Sequence, residues 1–485
     1  MYISILFISD GLFGSNPLQA PSQALPLVRG RANRAPPLTR GGSGGVGSNG
    51  LLGIMLAAFA LSALLAANVR AEPVPDAPDP FGSGDPFALL NNKDHPATNE
   101  SHRASRVKTE GSLFVEGIGN DINQDSRINP GNRIMQLEKQ RLIYEARLTM
   151  NQHIGEAQQW RWLFKGFASN ASYIDQYGMA NQGGRIDELF VDWKGEGWFA
   201  NLGKRRLNWG HAQGFNPVNV VVPPRDPANP GRETEGQPML WVNKAGGTES
   251  VDVIVSRNYD RNYASDQNRW GIKWGHTEAK SDYALYYFDG EPYRDGRAYE
   301  QMLGASFSAD VYPGVTAYME AARFASNYRN YYDASGASAT KNSAYWQTVV
   351  GTNINLGGKR SVVVEYFNNG QGYAEVERLN YFQSADLQLA SGLPTAIPRD
   401  YKVTGMNRDY LLLRFQEEWR ERYTGELSML AAADSSYSLR VQGNYAISDY
   451  YELRIVLLRN QGKRDSEFGN SPVSNMLEFW LGANF

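Results

Sequence analysis

Few residues in this chain could make or break bonds. There is no cysteine, so thiol nucleophiles, disulfides, zinc–thiolate sites and iron–sulfur clusters are excluded. The five histidines are His95, His102, His153, His211 and His276. His95 and His102 lie in a stretch without periodicity, and the other three have neither i, i+4 nor loop-ligand spacing, which argues against a metal site. Neither a Gly-x-Ser-x-Gly elbow nor a Gly-rich phosphate loop occurs. A hydrolase using histidine with serine and asparagine partners stays open as an alternative, because such triads are defined by geometry and not by order. Asp121, Asp125, Asp289 and Glu291 could hold calcium, but solvated loop charge is the simpler reading. The expectation is a protein that is not an enzyme and uses no metal or cofactor.

What remains is charge placed at regular intervals, and the elements that place it are strands. From Val107 onward apolar and polar residues alternate with period two. Tyr451, Leu453, Ile455 and Leu457 interleave with Glu452, Arg454, Val456 and Leu458; Tyr437, Leu439, Val441 and Tyr445 interleave with Ser438, Arg440, Gln442 and Asn444. Eighteen such runs follow one another: 111–119, 138–150, 159–169, 185–193, 198–207, 238–244, 249–257, 268–276, 281–288, 301–310, 314–323, 344–356, 360–368, 409–417, 425–433, 437–446, 451–459 and 476–485. A soluble sandwich also alternates, so the connections decide. Short turns such as Lys194–Gly197, Ala245–Thr248 and Val311–Pro313 alternate with long segments such as 120–137, 170–184, 208–237, 324–343 and 369–408. The brief 434–436 connection falls where a long one is expected. Short turns at one end and long loops at the other predict an all-β, transmembrane antiparallel barrel of about 18 strands, with 16 as the alternative count. In hydrocarbon each unpaired backbone group costs several kcal/mol, so a spanning sheet must close on itself. A cylinder of that size is too wide for its own side chains to fill.

The flanking segments divide the chain into three parts. Residues 51–67 are an uninterrupted apolar run, preceded by Arg29, Arg31, Arg34 and Arg40 and followed by Val69-Arg70-Ala71. This is the layout of a signal peptide cleaved after Ala71, so 1–71 is read as an N-terminal extension plus signal peptide. Residues 72–106, rich in Pro, Asp, Asn and Ser, read as a flexible periplasmic leader. The barrel is assigned to 107–485. Net charge is −3, so there is no basic field for nucleic acid. A mean hydropathy of −0.48 with a single long apolar run rules out a polytopic helical membrane protein. The 27 Tyr, 20 Phe and 11 Trp are too much apolar surface for a disordered chain.

The most specific segment is the last, Met476-Leu477-Glu478-Phe479-Trp480-Leu481-Gly482-Ala483-Asn484-Phe485. Its alternating apolar positions, with Phe479, Leu481 and a final Phe485, resemble the terminal strand of bacterial outer-membrane β-barrels. That resemblance implies recognition by the barrel-assembly machinery, a lipid bilayer as solvent, and residence in the bacterial outer membrane. A second stretch, Gly203-Lys204-Arg205-Arg206-Leu207-Asn208-Trp209-Gly210 followed by Asn216-Pro217, is similar to substrate-specific porin-like barrels, including the alginate-export type. Arg206 stands where an amide is usual in that pattern, so the resemblance assigns no ligand.

Within such a barrel the charged phase must face inward, since an arginine at the lipid midplane costs about 2–4 kcal/mol. Arg147, Arg205, Arg414, Arg440, Glu452 and Arg454, with Glu145 and Glu365, are thus expected to line the pore. The 208–237 segment, stiffened by prolines and carrying Arg225, Asp226, Arg232 and Glu233, is expected to bend into the lumen and narrow it, with an outward surface loop as the alternative. Rings of cations favour anions, although the interleaved glutamates would also suit a neutralised lattice. The function expected is a porin passing a polar, anion-leaning small solute or polysaccharide, as a monomer or homotrimer. The alternatives are a structural sheath or assembly barrel for a partner protein, and an outer-membrane hydrolase.

Overall fold

The computed structural model describes residues 107–485 apart from 156–158, 171–172, 175–179, 182, 222–225, 230–234, 261–264, 291–300, 328, 342, 391–400 and 402–403. The expected signal peptide and leader, His95, His102, Arg225, Arg232, Glu233 and Glu291 lie outside the described residues.

In chain order the strands are β1 Lys108–Ile122, β2 Gln140–Ile154, β3 Trp160–Ser169, β4 Tyr173–Ile174, β5 Ala180–Asn181, β6 Gly184–Gly195, β7 Trp198–Arg205, β8 Gln237–Gly246, β9 Glu249–Asp260, β10 Ser265–Thr277 and β11 Ser281–Gly290. They continue with β12 Gln301–Tyr312, β13 Val315–Phe324, β14 Asn330–Tyr332, β15 Ser338–Thr340, β16 Tyr345–Asn355, β17 Arg360–Asn369, β18 Asp409–Trp419, β19 Tyr423–Ala432, β20 Tyr437–Ala446, β21 Tyr451–Gln461 and β22 Val473–Asn484. Among the described residues one α-helix, α1 Glu375–Ala390, interrupts them. The ribbons β4–β5 and β14–β15 stand apart; the other 18 strands form a single sheet. Each pairs antiparallel with its neighbour, and β1 pairs with β22 from Ser112↔Asn484 to Ile122↔Val473, so the sheet closes. The protein is an 18-stranded antiparallel β-barrel, and each alternating run of the sequence lies on its own barrel strand.

Alternation sorts the two faces. Leu427, Val441, Ile455, Leu457, Phe479 and Leu481 point away from the barrel and are exposed, while Ser428, Arg440 and Val456, one residue along, are buried. In water such an outer belt would be an aggregation hazard; against hydrocarbon it is the stable arrangement. Aromatic residues close the belt at the short-turn end, where Trp160, Trp198, Trp419, Tyr423 and Tyr451 are exposed.

Connections at one end are all tight: 155–159, 196–197, 247–248, 278–280, 313–314, 356–359, 420–422 and 447–450. At the other end run 123–139, 170–183, 206–236, 325–344, 370–408 and 462–472. The 433–436 link does lie at the long-loop end as a tight turn, closed by Ala432 N donating to Ser436 O with Ser435 at φ 66°. The parity therefore holds throughout. The helix α1 departs from the reading of 370–408 as plain loop. Its buried positions Arg378, Tyr381, Phe382 and Ala385 do recur at helical spacing, but the stripe contains an arginine and is flanked by buried Ser384, which masks it as a hydrophobic pattern. Its first turn is fixed by Glu377, whose Oε2 accepts from Ala374 N at 2.8 Å.

Candidate functional site

The segment after β7 turns into the barrel, and the sequence of its first ten residues explains how. Trp209 is fully buried, and Gly210 adopts φ +91°, a conformation that side chains disfavour. A Cβ on Gly210 would fall 2.3 Å from Glu320 Oε1, so only glycine lets that carboxylate approach. Asn216 Nδ2 donates to Trp209 O (2.5 Å), and Asn216 Oδ1 accepts from Asn219 N (3.1 Å), closing the bend ahead of Pro217. Two carboxylates of the wall then seize the backbone. Glu320 on β13 accepts from His211 N (2.5 Å) and Ala212 N (2.8 Å). Glu365 on β17 accepts from Gln213 N (2.5 Å), Gly214 N (3.0 Å) and Phe215 N (3.0 Å), and from Tyr318 Oη at 2.7 Å. Both glutamates have no exposed surface. Buried carboxylates are costly unless several N–H groups compensate them, and here a run of successive loop amides does so.

Apolar packing completes the docking. Leu207, Trp209, Val218 and Val221 join a cluster with Phe199, Met239, Trp241, Ile254, Tyr286 and Phe288 of the wall. Phe215 stacks on Phe367 at 4.3 Å and 14°, and Ala212 and Ala228 lie in a second cluster with Val349, Tyr410 and Leu412. Farther along, Arg414 Nη2 donates to Pro227 O at 2.7 Å. The described part of the 206–236 loop thus covers the inner wall from β7 to β19.

On the opposite wall, β1–β3, β6 and β20–β22, the inward Glu145, Arg147, Arg161, Gln442, Asn444, Glu452 and Arg454 stay partly exposed, while Asp187, Asp192 and Arg440 of the same wall are buried. Asp192 gathers Arg161, Arg205 (2.6 Å) and Asn201 (2.7 Å). Glu188 pairs with Arg206 at 2.9 Å, Asp187 with Arg185 at 2.5 Å, and Glu426 with Arg440 at 3.1 Å; Arg147 pairs with Glu145. Arg454 is different. Its Nε donates to Asn444 Oδ1 at 3.0 Å, and among the described residues no carboxylate lies within ion-pair distance of it. At the closing seam Phe114 and Trp480 stack at 4.5 Å, with Arg147 over both rings (4.9 and 5.2 Å) and Arg454 over Trp480 (4.4 Å).

The expected pore residues therefore fall into two groups. Arg147, Arg440, Glu452 and Arg454 share the inward face of the polar wall, and Arg205 at the end of β7 borders it through Asp192 of β6. Arg414 and Glu365 are also inward but lie beneath the loop and fasten it, while Asp226 sits in the loop with Oδ1 accepting from Ala228 N at 2.9 Å. Phe479 and Leu481 face outward, and Phe485 exchanges backbone hydrogen bonds with Gly111 of β1 (2.8 and 2.9 Å). Sequence reasoning missed Glu320, Asp192, Phe114 and Trp480; the first two were legible as carboxylates in the inward phase of β13 and β6. His153 (β2), His211 (the inward loop) and His276 (β10) stand on separate elements, and no cluster of three or more His, Asp or Glu among the described residues could hold a metal.

Above this wall, at the long-loop end, five connections interlock, the tight 433–436 turn among them. Ile128, Tyr331, Tyr332, Tyr373, Tyr381, Phe382, Tyr401 and Met406 form one buried cluster. Beside it Glu467 Oε2 accepts from Tyr410 Oη (2.7 Å) and Asn407 Nδ2 (2.7 Å), while Asp434 Oδ2 accepts from Asn407 Nδ2 (2.9 Å) and Glu467 N (2.7 Å). Arg378 of α1 reaches Asp434 at 3.6 Å and Asn407 Oδ1 at 2.9 Å. Burial and the neighbouring Asp434 push the Glu467 carboxyl up to about 7.

The chain matches no protein-family model and no curated protein. Solved structures similar to it include variants of the Rhodopseudomonas blastica porin. One triple variant has a TM-score of 0.41 at 10% identity, covering 78% of this chain and 100% of that chain. A second triple variant has a TM-score of 0.41 at 9% identity with the same coverage.

Proposed function

We propose that this protein is a channel of the bacterial outer membrane that passes a polar solute through an off-centre pore. The observation that carries the reading is the asymmetry of the lumen. One inner wall is covered by the described part of the 206–236 loop, while the facing wall keeps partly exposed Arg147, Arg161, Arg454, Glu452 and Gln442. Inward charges need either protein hydrogen-bond partners, as Glu320 and Glu365 have beneath the loop, or water, and these partly exposed residues are placed to meet water. The expected signal peptide and the terminal strand are consistent with that location.

For selectivity the arginines matter through what remains uncompensated. Arg205 and Arg440 are matched by ion pairs to Asp192 and Glu426, whereas Arg454 hydrogen-bonds the Asn444 amide and is offset only at longer range by Glu452 and Glu478. The reading is a mild preference for anions, with sugar acids and anionic polysaccharides as the solute class to test. Purified protein in planar bilayers should give stable single-channel steps with a reversal potential on the anion side. Arg454→Gln should move that potential toward cations, and Arg440→Gln should move it less. Absence of channel steps from folded protein would overturn the proposal and favour a sheath around a partner.

A further inference from the structure

Where β2, β3 and β6 reach the short turns, the inner wall carries more positive charge than its one carboxylate can neutralise. His153 pairs in register with Arg161, and Arg161 with Asp192. Alternation puts Lys194 on the same inward face as Asp192, opposite the buried Phe199 of β7. Asp192 fixes the group. Its Oδ2 accepts from Arg161 Nε at 2.9 Å, and its Oδ1 accepts from Arg205 Nη1 at 2.6 Å and Asn201 Nδ2 at 2.7 Å. The Phe190 ring holds both guanidiniums by cation–π contact, Arg161 at 5.3 Å and Arg205 at 4.6 Å. Both arginines are thereby set in orientation, and the carboxylate that sets them is only 2% exposed.

Lys194 is the surplus cation. It is half-buried and makes no ion pair or side-chain hydrogen bond among the described residues. The charged groups close enough to act on it are Arg161, Asp192 and Arg205; those acting on His153 are Arg161, Lys194 and the same Asp192. The next inward acid of β6, Glu188, is occupied by Arg206, through its backbone N at 3.0 Å and its guanidinium at 2.9 Å. The seam is balanced differently, for Arg454 is faced by Glu452 and Glu478 as well as by Arg440 and Arg147. His153 and Arg161 flank the 155–159 turn and Lys194 precedes the 196–197 turn, so the unmatched charge lies at the short-turn mouth of the barrel. We propose that Lys194 and Arg161, with the His153 imidazole beside them, form an oxyanion station that holds a carboxylate or phosphate of the solute by charge-assisted hydrogen bonds. The inference deepens the channel reading and rests on it for a passing solute, whereas the binding step itself needs no conduction.

The test is equilibrium binding of fluorescently labelled trigalacturonate to the purified, folded protein in a nonionic detergent. Unlabelled trigalacturonate supplies carboxylates as competitor, tripolyphosphate supplies phosphates, and maltotriose is the uncharged comparison. The anions should displace the label and maltotriose should not; the stronger anion names the group that the station prefers. Lys194→Gln should weaken binding about tenfold or more, the loss expected for one hydrogen bond between charged groups, and Lys194→Arg should restore it. Lys359→Gln removes the same charge from another short turn, where Lys359 pairs with Glu418, and should leave binding unchanged. No displaceable binding, displacement by maltotriose, unchanged affinity in Lys194→Gln, or an equal loss in Lys359→Gln would overturn the proposal. Single-channel recording of the same preparations separates the two readings. Lys194-dependent binding by a barrel without steps sinks the channel alone, and steps without such binding sink the station alone.

Discussion

At the residue scale the inward loop depends on two glutamates and two glycines. Glu320 and Glu365 accept five successive amides between them, from His211 to Phe215, and Gly210 and Gly214 let the carboxylates come that close. A Cβ on Gly214 would sit 2.2 Å from Leu412 Cδ2 and 2.8 Å from Glu365 Oε2. A hydrogen bond to a charged acceptor is worth roughly 1.5–3 kcal/mol net, so removing the charge loosens the loop without removing the wall. Glu365→Gln should therefore yield a barrel that folds normally but conducts with larger and noisier single-channel steps. Unchanged conductance in bilayers would show that the loop's apolar contacts hold it unaided. Where the resemblance in the sequence lay, at Trp209-Gly210 and Asn216-Pro217, the residues turn out to build this bend.

At the element scale the long connections behave as a cap rather than as free loops. Glu467, between β21 and β22, has no exposed surface and is faced by Asp434, Arg378, Asn407, Tyr401 and Tyr410. Its carboxyl is held up at about 7 by burial first and Asp434 second, against an ordinary value of 4.5. A raised acid favours the protonated form in the folded cap. Its contribution is fully present below about pH 4.5 and is lost as pH rises through about 7. The hydrogen-exchange protection of residues 370–390 and 463–471, relative to the intrinsic rate at each pH, should fall between about pH 5 and pH 8. Glu467→Gln, neutral at every pH, should remove most of that dependence; a profile identical to the parent protein would place the titration elsewhere. The helix α1 was not legible in advance because the partners of its buried face come from other loops, Ile128 and Tyr332 among them.

At the scale of the whole molecule closure is the decisive property. The seam between β1 and β22 joins the two ends of the described chain through a register that runs from Ser112↔Asn484 to Ile122↔Val473. Phe485 continues it by exchanging hydrogen bonds with Gly111, which makes Ser112 and Asn484 a non-hydrogen-bonded pair with close Cβ atoms. With no native cysteine to interfere, Ser112→Cys with Asn484→Cys should form a disulfide in the assembled barrel. The linked chain should migrate differently from the reduced one after full denaturation, and failure to cross-link under oxidation would contradict the register. We further propose that Phe485 acts as part of an assembly signal, so that Phe485→Ala should lower the yield of folded barrel in membranes.

The sequence by itself pointed to a barrel of about 18 strands, to alternating short and long connections and to which side chains face inward; the closed sheet settles the count at 18 against 16. Those properties are local: alternate residues face opposite sides of a strand, and hydrocarbon accepts only one of the two sets. It also placed Arg147, Arg205, Arg440 and Arg454 on the inner face. Only the tertiary structure decided which inward charges meet water. Arg414 and Glu365 obey the same alternation as Arg454, yet they are covered, because the loop that covers them docks through contacts far away in the chain, 109 residues from His211 to Glu320 and 152 from Gln213 to Glu365. Period two assigns a residue to a face. Occupancy of that face depends on what folds over it, and no periodicity carries that information.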